Sequence, residues 1–340
     1  MMRIRSIDEV EKVSLAALRS CGAPEDHART QVDLLIEAEL RGVSSHGLLR
    51  LPRLVARIKN GVLDPFVKGR LSWRGPALLH VDGENGLGPV VGRHALDALI
   101  PRVREIGAAV ASIANNNHLG MLAWYAEYAA RNGLLCLALT TSEALVHPWG
   151  GRRAMIGTNP IAIGVPTSTN PFVMDTATGV VSMGKIHDYA QKGLALEPGW
   201  ALDANGDPTT DALAATSGAI APFGGAKGYA LGLAFELLVT SLTGAAIGRA
   251  VRGTLDADCI CTKGDVFILA TPLGLGVERE LTEYLDELRG EQPAVGFESV
   301  RIPGDRSTRQ REERLQRGVP VSNEVWSELS ALAWNTREGN

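Results

Sequence analysis

From about residue 76 onward, short apolar runs of strand length alternate with stretches of helical spacing, and this alternation limits the chain to a few architectures. ALLHV precedes helix-like sequence to Ile106, AAVASIA precedes a helix around Trp124, and LLCLALT follows. PIAIGVP and FVMDTAT come next with little helix between them, and VFILA near residue 268 leads into a helix rich in Glu, Leu and Arg. An apolar sheet face must be covered by another layer, so the pattern predicts an α/β domain. The two strands in direct succession predict a mixed sheet.

The first sixty residues read as helical. Ser6-Ile7-Asp8-Glu9 has the form of a capping box, with Ser6 as cap and Glu9 three residues on. Gly22 ends that helix, Pro24 suits the opening turn of the next, and Val32, Leu35, Ile36 and Leu40 give the second helix one apolar face. After Pro303 the sequence is again helical and charged, and is expected to return against the N-terminal helices. The organisation predicted is a helical region 1–75, an α/β region 76–300 and a helical segment 301–340.

A chain of 340 residues can bury a large core, and a formal net charge of -4 argues against a general nucleic-acid binder. Cys21, Cys136, Cys259 and Cys261 are too few and too scattered for a disulfide framework, and no pair has zinc-ligand spacing. The histidines form no metal-binding pattern, so no metal is expected. MMRIRSIDEVEK has no apolar signal core, which points to the cytoplasm. Residues 228–248 are apolar enough to suggest a membrane span, but Glu236 stands at their centre, and a mid-membrane charge costs ~3 kcal/mol. We therefore expect a buried helix of the core.

The most conspicuous motif fails on spacing. HVDGENGLGPVVG places Gly86, Gly88 and Gly92 between a strand and a helix, yet it is one residue too long for the dinucleotide fingerprint and holds Pro89 inside it. No acidic residue follows where a ribose-binding carboxylate belongs. No Gly-x-Ser-x-Gly elbow appears either, which removes the usual serine-hydrolase signature.

Four other segments carry chemistry. Ser45-His46-Gly47 is followed by Arg50, so imidazole and guanidinium share a face if the chain is helical there; Pro52 leaves that open. Imidazole trades protons near neutrality and guanidinium grips carboxylates, but a surface histidine beside a structural arginine fits the spacing as well. Asn115-Asn116-Asn117-His118 ends the strand AAVASIA, where α/β proteins place ligand groups or simply a hydrogen-bonded turn. Gly157-Thr158-Asn159-Pro160 forms a turn before a strand. Gly224-Gly225-Ala226-Lys227 precedes the long apolar helix, a combination suited to an anion, although it is not a P-loop.

Taken in order, SSHGLLRLPRLVARIKNG, NNNHLG, HPWGG, IGTNPIAIGVP, FVMDTAT, MGKI, DANGDPTTD, PFGGAKGYAL and IPGDR resemble the malate/L-lactate dehydrogenase family, which lacks a Rossmann fold. These segments span residues 44–306. The resemblance implies a non-Rossmann α/β fold that binds NAD or NADP in its own way, and a homodimer with active sites near the subunit interface. It implies that His46, beside Ser45, is the acid/base residue and that Arg50 holds the substrate carboxylate. His118 matches the histidine assigned as proton acceptor in the family's ureidoglycolate dehydrogenases, so two histidines compete for one role. Thr158 is placed near the substrate. Ser142, Asp175, Thr176, Ala177, Lys227, Gly304, Asp305 and Arg306 match cofactor-contacting positions.

Lys185 helps to choose among relatives. The family's cyclic imine reductases carry Asp where this chain has Lys185 after Gly184, so Lys185 is counted with the catalytic set of the hydroxy-acid dehydrogenases. The function expected is interconversion of a small 2-oxo acid and its 2-hydroxy acid. The alternatives are NADPH-dependent reduction of a cyclic ketimine such as piperideine- or pyrroline-2-carboxylate, and dinucleotide binding without catalysis. The choice of NAD or NADP depends on loop geometry that the sequence does not reveal.

Overall fold

The computed structural model describes residues 2–274 and 276–334. The chain opens with β1 (Met2–Arg5), α1 (Ile7–Ser20), α2 (Glu25–Leu40), two single 3-10 turns (Ser44–His46 and Leu48–Arg50) and α3 (Leu51–Lys59). The capping box forms: the Glu9 N–H donates to Ser6 Oγ at 3.2 Å and the Ser6 N–H donates to Glu9 Oε2 at 2.9 Å. The α/β part follows as β2 (Arg70–Gly75), β3 (Leu78–Asp82), α4 (Gly88–Ile106), β4 (Ala108–Ala114), α5 (Ala123–Arg131), β5 (Leu135–Thr140), β6 (Ile161–Val165) and β7 (Phe172–Thr176). Next come α6 (Met183–Lys192), β8 (Ala201–Leu202), β9 (Pro208–Thr209), α7 (Ala212–Ala215), β10 (Ala219–Ile220) and α8 (Ala226–Thr243). The chain continues through β11 (Asp265–Ala270), α9 (Val277–Gly290), α10 (Asp305–Arg317), β12 (Val319–Ser322) and α11 (Asn323–Trp334).

Seven strands form the main sheet in the order β2-β3-β4-β11-β5-β6-β7. β3 and β4 are parallel, whereas β11 runs antiparallel to both β4 and β5, so the sheet is mixed, as the sequence predicts. Asp265, the first residue of β11, pairs with Ile113 near the end of β4 and with Thr140 at the end of β5. β4 and β5 therefore leave the sheet where β11 enters it, at one end of the central strands. That end carries the site.

The largest core cluster joins the N-terminal helices to α4, α5 and one sheet face, and includes Leu35, Leu96, Tyr125, Phe267 and Leu329. Leu35, Leu96 and Phe267 are at most 1% exposed, and each stabilises the fold by roughly 2 kcal/mol through area removed from water. A second cluster around Val146, Ile156, Ile186 and Ile220 supports the small sheet β10-β8-β9. The C-terminal segment comes back to the start of the chain. β12 pairs antiparallel with β1, α11 packs on α1, and Arg311 Nε donates to Glu37 Oε1 of α2 at 2.6 Å.

Two sequence readings need correction or explanation. The apolar segment was expected to be a buried helix, but α8 buries one stripe, Gly228, Gly232, Glu236, Val239 and Thr243, and leaves Leu231, Leu237 and Leu238 exposed. Among the described residues no helix is long and apolar enough to cross a membrane. The glycines of the failed fingerprint serve packing. A Cβ at Gly88 would stand 2.1 Å from the His118 carbonyl oxygen, and one at Gly92 would stand 2.8 Å from the Tyr125 ring. The start of α4 thus abuts the backbone that carries His118.

Candidate active site

The Ser45–Arg50 segment is not one helix. Gly47, with ψ of -145°, separates the two 3-10 turns, and its bare α-carbon is required because a Cβ there would lie 2.1 Å from Glu39 Oε1. Buried Glu39 accepts the Leu48 N–H and the Ser44 hydroxyl, each at 2.9 Å, and so holds both turns to α2. Ser45 Oγ meets His46 Nδ1 at 2.9 Å. Arg50 curls back, donating from Nε to the Ser45 carbonyl at 2.7 Å. Its side chain has carbonyl acceptors but no carboxylate partner among the described residues. Burial, with the neighbouring charge of Arg53, pushes its pKa down to about 10.

The three asparagines before His118 are occupied in fixing the turn. Asn115, at a left-handed φ of 52°, donates to Asp82; Asn116 donates to Asp265; and Asn117 donates to the carbonyls of Asn85 and Gly86 while accepting from Arg57. His118 is thereby delivered against His46, the ring centroids 5.2 Å apart and the planes 28° from parallel. The Gly120 N–H donates to His118 Nδ1 at 3.1 Å, which places the neutral ring's proton on Nε2. Burial, reinforced by Arg50, holds His118 well below the usual imidazole range and His46 at about 4.

At the turn before β6, Ser142 Oγ accepts the Thr158 N–H at 2.9 Å and lies 3.1 Å from its hydroxyl. Glu236 explains both this turn and its own presence in an apolar helix. Its carboxylate accepts the Gly157 N–H (3.1 Å), Asn159 Nδ2 (2.7 Å) and the Gly248 N–H (2.5 Å). A buried charge is tolerable when its lone pairs are so fully used.

One cavity of about 1270 Å³ collects these groups. Its wall includes Ser45, His46, Arg50, His118, Ser142 and Thr158, together with Asp175, Thr176 and Ala177 and with Gly304, Asp305 and Arg306. Asp175 is exposed on the cavity wall. Desolvation by the surrounding protein outweighs its bonds from the Ala123 and Leu122 amides and pushes its pKa to about 6. Asp305 is tied to Arg289 at 2.9 and 3.1 Å.

Two expected site residues lie elsewhere in this chain. Lys185 is exposed, its Nζ 4.5 Å from the centre of the Trp200 ring, because the first turn of α6 points it at that aromatic pocket. Lys227 is exposed at the start of α8, where the neighbouring glycines give way to Trp149 and to the Phe223 backbone. Neither lines the cavity. Sequence reading missed Arg53 and Lys263, which do line it, and Glu143, which accepts the Thr254 and Leu255 N–H groups and holds that loop beside Arg50. The one available signal for Lys263 was a Lys-Gly-Asp of opposite charges opening the apolar strand VFILA.

The malate/L-lactate dehydrogenase family model matches residues 5–330. A solved dehydrogenase from Sinorhizobium meliloti superposes with a TM-score of 0.94 at 48% identity, covering 98% of each chain. L-sulfolactate dehydrogenase of Methanocaldococcus jannaschii is 35% identical over 95% of this chain and 94% of its own. Delta(1)-pyrroline-2-carboxylate reductase of Ancylobacter novellus is 33% identical over 96% of each. With nearly its whole length matched and the same fold, the chain belongs to the malate/L-lactate dehydrogenase family of NAD(P)-dependent oxidoreductases.

Proposed function

We propose that the protein interconverts a small 2-oxo acid and its 2-hydroxy acid. The observation that carries this reading is Arg50, a half-buried guanidinium with no carboxylate at ion-pair distance among the described residues, in the same cavity wall as two stacked histidines. Its own hydrogen bonds go to carbonyls and only the longer-range charge of Glu143 opposes it, so a substrate carboxylate is the natural partner for its planar fork.

The cavity fits a nicotinamide dinucleotide as well as a small acid, being larger than the roughly 300–1,000 Å³ of ordinary ligand pockets. Asp175, Thr176 and Ala177 would hold it from one wall. Gly304, Asp305 and Arg306 stand at the start of α10, where the Arg306 guanidinium suits its phosphates. Ser142 joins them beside Thr158. When bound, the reduced dinucleotide supplies the hydride. Arg50 fixes the carboxylate so that the C2 carbonyl is presented in one orientation, a positioning contribution. The His46–His118 pair holds the proton that the oxygen at C2 takes up in reduction and gives back in oxidation. Ser45 orients the His46 ring through Nδ1.

Absorbance of NADH and NADPH with a panel of 2-oxo acids and cyclic imines tests the reading and decides the cofactor. Oxidation of the dinucleotide by a 2-oxo acid is expected. Turnover of cyclic imines alone would favour the second reading, to which the similarity to a pyrroline-2-carboxylate reductase lends support. Dinucleotide binding without turnover of any of them would favour a non-catalytic role.

A homodimer is part of the proposal. Leu231, Leu237 and Leu238 are exposed on α8, apolar surface that a second copy could cover. A cytoplasmic setting agrees with the four free cysteines.

A further inference from the structure

Where β4 and β5 leave the sheet and β11 enters it, four polar side chains close on one another. Lys263 Nζ lies 2.5 and 2.6 Å from the two carboxylate oxygens of Asp265, and the two side chains are 2% and 0% exposed. Asp265 also accepts the Thr140 hydroxyl at 2.5 Å and Asn116 Nδ2 at 2.9 Å. The backbone between lysine and aspartate is fixed in turn. The Thr141 N–H donates to the Gly264 carbonyl, and the Gly264 N–H donates to Thr141 Oγ1, both at 3.0 Å.

Stability does not account for this arrangement. A buried ion pair gains little over well-packed apolar residues of the same volume, because desolvation offsets the attraction. Lys263, moreover, is part of the wall of the cavity that holds His46, Arg50 and His118, and its charge acts on His118. An ammonium has three protons; Asp265 accepts two, and the third has no acceptor among the described residues. In the proposed reaction Arg50 meets the carboxylate and the histidines manage the proton. The oxygen at C2, where negative charge develops, still lacks a cation.

We propose that Lys263 is a catalytic residue whose ammonium donates a hydrogen bond to the substrate's C2 oxygen, with Asp265 as the residue that positions it. The inference rests on the 2-oxo acid reading. As C2 takes the hydride, a C–H bond forms and the carbonyl π pair moves to oxygen. That oxygen then takes its proton from the histidine pair, while Lys263 keeps its own proton and holds the charge throughout. A fixed donor of this kind acts without reorganisation at the moment of reaction.

The direct test is a crystal structure of the wild-type protein with dinucleotide and oxamate, an unreactive 2-oxo acid analogue. The C2 oxygen of oxamate is expected at about 2.7–3.2 Å from Lys263 Nζ, and a separation beyond about 4 Å overturns the proposal. Kinetics supply the second arm, using Lys263→Met and the double variant Lys263→Met/Asp265→Asn, which leaves no unpaired buried carboxylate. With melting temperature and dinucleotide Kd near wild type, kcat is expected to fall about 10²–10³-fold. A folded double variant with kcat within about threefold of wild type overturns the role. If neither variant folds, the oxamate complex decides. Wild-type protein that reduces no 2-oxo acid overturns the parent reading, whereas an active wild type with an unaffected variant overturns Lys263 alone.

Discussion

His46 and His118 lie face to face, ring centroids 5.2 Å apart, with Arg50 as a shared neighbouring charge. Two imidazoles so placed and so enclosed cannot both be protonated. In the substrate-free protein burial and the guanidinium favour the neutral form of both, His46 with a pKa of about 4 and His118 well below the usual imidazole range. A carboxylate bound to Arg50 cancels part of that field, so the pKa of the pair rises toward its ordinary value. A group whose pKa rises on binding takes up a proton between the free and bound values. Oxamate binding to the protein–dinucleotide complex is therefore expected to take up a fraction of a proton near pH 5–6, fading at higher pH. Calorimetry in buffers of differing ionisation enthalpy measures this; uptake indistinguishable from zero across that range contradicts the coupling.

Arg50 is expected to tolerate no replacement that keeps only the charge. Its Nε is committed to the Ser45 carbonyl, so the guanidinium both holds the 3-10 turn and faces the cavity. Lysine cannot do both, because it lacks the planar fork. Arg50→Lys should lower kcat/KM for a 2-oxo acid by at least ~10-fold, about 1.4 kcal/mol of transition-state stabilisation, with dinucleotide Kd unchanged. Steady-state rates with a parallel fluorescence titration check it, and an unchanged kcat/KM would remove Arg50 from the substrate site.

Glu236 gives a prediction about stability. Its two oxygens accept three N–H donors, from Gly157, Asn159 and Gly248. Glu236→Gln turns one acceptor into a donor and leaves an N–H facing an N–H in a buried site. The expected cost is about 2–3 kcal/mol. Urea titration compares it with Glu283→Gln, an exposed control on α9. A loss below about 0.5 kcal/mol would show that the carboxylate is not needed to hold the Thr158 turn.

Much of the architecture was legible because it rests on local rules. The capping box at Ser6, the apolar face of α2 and the mixed sheet follow from spacing alone. What escaped was set by contacts distant in sequence. Gly88 and Gly92 looked like the remains of a phosphate loop, yet they serve the close approach of α4 to His118 and Tyr125. Glu236 looked like a charge against a membrane span, and its partners lie up to 79 residues away. The expected buried helix is buried on one face only. The Ser45–Arg50 segment was read as helical if its two groups were to share a face; instead Gly47 breaks it, and Arg50 reaches its place by curling back onto Ser45. Lys185 and Lys227 matched a family pattern by position; neither lines the cavity of this chain, and Lys185 stands over the Trp200 ring. Lys263 was overlooked because its one local sign is the Lys-Gly-Asp step, while the Thr140 and Asn116 contacts that fix its partner Asp265 come from residues 125 and 149 positions away.

The most direct test of the central claim is the rate at which the protein consumes reduced dinucleotide in the presence of 2-oxo acids, measured for wild type and His46→Ala. Wild type should oxidise NADH or NADPH with at least one 2-oxo acid. His46→Ala should be at least ~100-fold slower, the usual cost of losing an acid/base group, with dinucleotide affinity nearly unchanged. No consumption with any 2-oxo acid, or a His46→Ala rate close to wild type, would contradict the account.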